Sequence, residues 1–200
     1  MPIPNENFSA VMLLCELDLQ CKIIDYTFNR LTESAEHWIA IEQGIDDGKT
    51  VPPIEIIGLC SICLSAAASI YRILHIGKRN GKDKARITQR CKALMTLLKN
   101  PELSKIAAIV VRNSWEHLDE RLDYLLNQHS YRSYAEMHVS VKPPSNGTFI
   151  LRHFDPIQMT IKHGPNEAIS LKELITETKD LSSRISNALK DLQKVQCVPY

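Results

Sequence analysis

FSAVMLLCELDLQCKIIDYTFNRLTESAEHWIAIEQ, residues 8–43, decides the fold class. Phe8, Met12, Cys15 and Leu19 step by four, three and four, and Ile24, Phe28, Leu31, Ala35 and Trp38 repeat the rhythm. A turn of α-helix takes about 3.6 residues, so this spacing gathers apolar side chains on one face. Neither proline nor glycine interrupts the run before Gly44. There a residue tolerant of positive φ ends the helix, and Asp46-Asp47-Gly48 reads as the following turn.

The same reading extends along the chain. A second helix starts at Pro52-Pro53, because a first-turn proline forfeits no helical hydrogen bond, and runs to about His75. Its Ala66, Ala67, Ala68 and Ser69 allow close helix contact. Gly77 to Lys84 is a polar, basic connection to a third helix over about Asp83 to Lys99. Asn100-Pro101-Glu102 reads as a cap followed by a first-turn proline. The fourth helix then continues to about His129 with Val111, Trp115, Leu118, Leu122 and Leu125 as its apolar stripe. Lys142 to Gly147 is a loop. Thr148 to Phe154 and Ile157 to His163 alternate in polarity around Asp155-Pro156, as the strands of a β-hairpin do. Ser170, with Glu173 three residues on, forms a capping box for a last helix reaching about Lys194. The expected architecture is mainly α: a bundle of four to five helices with one appended β-hairpin. It forms a single domain over 1–200, with 8–129 as bundle core, 148–163 as hairpin and 170–194 as C-terminal helix.

Composition narrows the function classes. The chain has 200 residues, 44% hydrophobic and 24% charged, with a formal net charge of +1. Such a length can bury roughly 70% of the unfolded surface. Near-neutrality supplies no global attraction to polyanions, so any nucleic-acid site must be local. Met1 to Asn7 lacks the basic start and apolar core of a signal peptide. The apolar run Ile54 to Ile76 is broken by Glu55, Ser61, Ser65, Ser69 and Arg72, which suits a buried helix better than a membrane span. The expectation is a cytoplasmic protein without a membrane partner. Cys15, Cys21, Cys60, Cys63, Cys91 and Cys197 then read as reduced thiols, mostly in the core. Cys60-Ser61-Ile62-Cys63 has CxxC spacing but no second pair, and a zinc site takes four ligands. No metal or other cofactor is expected.

The chemistry concentrates in Val111-Arg112-Asn113-Ser114-Trp115-Glu116-His117. On an ideal helix the apolar stripe takes one side; Asn113, His117, Glu120 and Tyr124 lie near the other, flanked by Arg112 and Arg121. This stretch resembles the signature of the HEPN superfamily of helical-bundle proteins: an arginine, often followed by a polar residue, then a histidine after four to six intervening residues. Arg112-Asn113 and His117 fit that form. Arg30 to His37 and Arg132 to His138 share the bare spacing, but the polar residue and the late-helix position belong to Arg112. The resemblance covers about two thirds of the chain, the hairpin being an added element.

What the resemblance implies is a metal-independent endoribonuclease, of the kind found in toxin–antitoxin and defence systems, with RNA as substrate and an antitoxin as a possible further partner. An imidazole titrating near pH 6.5 is suited to moving protons at a ribose hydroxyl or leaving oxygen. A guanidinium offers two parallel donors to developing phosphoryl charge. His117 takes the acid–base role, Arg112 the phosphate clamp, and Asn113 orients one or the other. Arg112 and His117 lie about 140° apart on one helix, and the resemblance supplies the remedy: a homodimer whose paired helices build a composite site. Glu116 and Asp119 stand beside the site and would repel phosphate unless paired. Arg112–Glu116 and His117–Arg121 are i,i+4 pairs, so a solvated ion-paired face is the competing reading. The alternatives are therefore a non-catalytic HEPN-fold module binding nucleic acid or nucleotide, and a helical protein acting through protein–protein contacts. Lys78, Arg79, Lys82, Lys84, Arg86, Arg90 and Lys92 form a basic strip that can hold a nucleic-acid backbone or simply be solvated.

Overall fold

The computed structural model describes residues 6–45, 51–75, 83–108, 133–140, 148–163 and 167–196. In chain order these form α1 (Glu6–Glu42), α2 (Pro53–Leu74), α3 (Lys84–Leu97), β1 (Ser133–Val139), β2 (Thr148–Asp155), β3 (Thr160–His163), β4 (Glu167–Ser170) and α4 (Leu171–Gln196). The described residues are mainly helical, with a small mixed sheet.

The long α1 packs against both α2 and α4. Leu14, Leu17, Ile24 and Leu31 of α1 are fully buried with Ile56, Cys60, Cys63 and Ile70 of α2 and Leu174, Leu181 and Ile185 of α4. Burying one such aliphatic side chain stabilises by roughly 1.5–3 kcal/mol, so this seam dominates the bundle. The polar ties between α1 and α4 are modest: Ser182 Oγ donates to Asp18 Oδ1 at 3.2 Å, and Lys179 pairs with Asp25 at 3.7 Å. Exposed pairs of that kind contribute about 1 kcal/mol at most.

One expectation for α1 is overturned. Met12 and Leu19 are 56% and 50% exposed, and Cys15 is exposed too. The buried series in that half is Leu14, Leu17 and Cys21. Both series step by three and four, and they sit about 160° apart around the helix. The second is in phase with Ile24, Leu31 and Ala35, so one continuous stripe reaches α2 and α4.

Helix ends follow local chemistry. Gly44 adopts φ +81°, and the Ile45 N–H closes back on Ala40 O at 2.9 Å. Pro52 and Pro53 open α2. Ser170 Oγ accepts the Glu173 N–H at 3.3 Å, fulfilling the expected cap of α4. Among the described residues α2 alone is long and apolar enough to cross a membrane; half of its most apolar window is buried inside the molecule.

The appended hairpin proves to be the middle of a four-stranded sheet, ordered β1-β2-β3-β4. β2 and β3 pair antiparallel as expected, β4 adds antiparallel to β3, and β1 pairs parallel with β2. β3 begins at Thr160 instead of Ile157, because Asp155 Oδ1 accepts the Gln158 N–H and Met159 takes φ +50°. Val139, Phe154, Ile161 and Ile169 stand in one row across the four strands, and all four belong to the helical core. The sheet is thus welded to the bundle by one apolar face. The expected fourth helix lies largely outside the described residues.

Candidate functional site

Arg112, Asn113 and His117 lie outside the described residues, as do Lys78, Arg79 and Lys82. The structure does define how the chain is held on either side of the Arg112–His117 stretch. After α3, Lys99 and Asn100 take left-handed φ values of 58° and 46°, turning the chain sharply. Arg184 of α4 covers that turn: its Nη1 donates to Leu98 O at 3.2 Å and to Lys99 O at 3.0 Å, while its Nε donates to Asp180. Residues 104–107 then form a helical turn, with the Ala107 N–H bonded to Leu103 O at 2.8 Å.

The first amides of a helical turn lack intrahelical acceptors, and here a distant carboxylate supplies them. Glu177 of α4 accepts from Lys105 N–H at 2.9 Å, Ile106 N–H at 3.0 Å and Ser104 Oγ at 2.8 Å. An anionic acceptor at a helical N-terminus also complements the dipole of the turn. Lys105 adds a 3.0 Å bridge to Glu173. On the far side, Ser133 begins β1.

The basic strip is only partly described. Lys84 and Arg86 on α3 are exposed and Arg90 is half-buried. Arg86 pairs with Asp83 at 3.5 Å. Lys84 and Arg86 point about 160° apart around α3, whereas Arg86 and Arg90 share a side. Cys91 and Leu94 face the core. The described part therefore does not align its cations into one track.

The sheet brings together a second cluster whose members are far apart in the sequence. His138 of β1, His153 of β2 and Lys162 of β3 occupy one row of the sheet. Successive strand residues face opposite sides, so this row backs the apolar one. The two imidazoles meet edge to face with ring centroids 4.9 Å apart. His153 is 7% exposed, and its Nε2 lies 3.3 Å from Ser140 O. Lys162 Nζ lies 3.6 Å from Asp155 Oδ2. Burial pushes both histidines below their ordinary value, with Glu42 partly opposing that at His138; at His153 Ser140 and Asp155 oppose it while His138 and Lys162 reinforce it. Their surroundings therefore favour the neutral imidazoles. The signal available in sequence was the alternation of Ser133 to Val139, but the parallel pairing that joins His138 to His153 is non-local.

Burial raises the Cys60 thiol well above its ordinary value and pushes Cys63 to about 12. Both remain protonated, as packing groups do and nucleophiles do not. No group of three or more His, Cys, Asp or Glu among the described residues is placed to hold a metal ion. No family model, curated protein or solved structure matches the chain.

Proposed function

We propose that this chain is a HEPN-like, metal-independent endoribonuclease acting as a homodimer, in the manner of a toxin–antitoxin or defence effector. The observation that carries the reading is the sequence Arg112-Asn113 followed by His117, in a stretch whose apolar spacing reads as helical with these residues on the polar side. The helical packing of α1, α2 and α4 agrees with a bundle scaffold for it. The contacts of Arg184 and Glu177 of α4 with residues 98–106 tie the chain that precedes this stretch to the bundle, which supports the reading.

In this mechanism His117 moves the proton at the ribose 2′-hydroxyl or the leaving oxygen, and Arg112 holds the charge developing on the phosphoryl group. Asn113 orients His117 or the phosphate. Arg112 of one protomer works with His117 of the other. Mixing inactive Arg112→Ala and His117→Ala proteins tests that arrangement, since mixed dimers contain one intact composite site. Recovery of RNA cleavage on mixing is the expected result. Activity in either single variant, or a protein that stays monomeric under native conditions, contradicts the composite site. Salt-sensitive RNA binding without turnover would replace it with a binding module.

A further inference from the structure

Adjacent strands lie about 4.8 Å apart, so charging both imidazoles in the row His138, His153, Lys162 would line up three cations within about 10 Å. The two histidines face each other across the β1–β2 pairing, which among the described residues is the one strand pairing that holds β1 in the sheet. We propose that this row is a proton-operated latch: acidification charges His138 and His153 beside Lys162 and detaches β1 from β2, and with it the anchor at Ser133. The inference stands apart from the nuclease reading, although release at Ser133 would reach the chain that carries His117.

The groups facing the pair decide the balance. On β2, Asp155 is already engaged by Lys162 and by the Gln158 amide. On α1, Glu42 acts on His138. β3 contributes Lys162, and β1 contributes Glu136, which receives a bond from Arg152 at 3.3 Å. α2 packs on β1 and β2, but its Glu55 is tied to Arg30 and its Arg72 to Ser69. Among the described residues, Glu42 and Asp155 are the acids that act on the two histidines, against the three prospective cations of the row. In the tautomer that donates Nε2–H to Ser140 O, His153 takes the added proton at Nδ1, in a site from which water is nearly excluded.

The sign follows from linkage. A histidine whose folded-state value lies below its ordinary 6.5 favours the native state in its neutral form. That stabilisation is complete above pH 6.5 and is lost as pH falls through the depressed value.

Amide hydrogen exchange in the full chain, corrected for intrinsic rates and compared at about pH 7.5 and about pH 5, tests the latch. In wild type, β1 protection should fall severalfold relative to α1. His138→Gln removes one titrating group and should shrink the fall. Lys162→Met keeps both histidines, removes the fixed cation and should shrink it as well. An undiminished fall in both variants, or no fall in wild type, overturns the proposal. If His138→Gln fails to fold, Lys162→Met decides alone: a fall equal to wild type overturns the latch.

Discussion

The bundle and the sheet are built on different economies of side chains. Along the α1 seam the fully buried positions are filled by aliphatic, small or sulfur-bearing side chains or by a hydroxyl bonded to its own helix, as with Thr27 donating to Ile23 O at 2.7 Å. Its stability is dispersed over many contacts, none of which titrates near neutrality. The sheet instead divides its two faces. One carries the apolar row Val139, Phe154, Ile161 and Ile169; the other carries His138, His153 and Lys162 beside the buried Phe149 and Leu151 of β2. The bundle can lose a contact and keep its character, whereas the sheet places ionisable groups where their charge state alters strand pairing. The difference teaches that, among the described residues, the helical seam carries the packing while the sheet sets titratable side chains against one another across strands.

Breaking the weld between the regions should have the largest effect on stability. Phe154 is fully buried in the common core, so Phe154→Ala should cost about 3–5 kcal/mol. Chemical denaturation followed by helical circular dichroism should show one cooperative transition shifted as a whole. A helical transition left in place would mean that the sheet is only loosely attached. Glu177→Ala comes next. It strands the Lys105 and Ile106 amides, and about 1–3 kcal/mol is the expected loss in the same assay. Smallest is Ser170→Ala, which removes the cap joining β4 to α4 and should cost about 1 kcal/mol. Equal effects of Glu177→Ala and Ser170→Ala would erase the distinction between a remote clamp and an ordinary cap.

Much of the bundle was legible because helix formation is local: the 3.6-residue rhythm, Pro52-Pro53, Gly44 and the Ser170 cap each act within a few residues. Where two apolar series share one helix, as Met12-Cys15-Leu19 and Leu14-Leu17-Cys21 do, the rhythm marks a helix without saying which series is buried. Only the phase shared with Ile24, Leu31 and Ala35 separates them. The hairpin was legible for the same local reason, through Asp155-Pro156. β1 and β4 were not, because strand pairing is set by partners far along the chain or, for β4, by a span of only Glu167–Ser170. The His138–His153 meeting and the Glu177 clamp, about seventy residues from its amides, belong to the same non-local class. The Arg112–His117 motif is the reverse case, carried by the sequence and lying outside the described residues.

The most direct test of the central claim is RNA cleavage by the purified chain in EDTA, with product ends identified, for wild type and His117→Ala. The account predicts that wild type cuts and leaves 2′,3′-cyclic phosphate ends, while His117→Ala, folded as judged by circular dichroism, loses at least about a hundredfold in rate. Cleavage that survives in His117→Ala, or a wild-type protein that cuts no RNA across a broad panel, would contradict it.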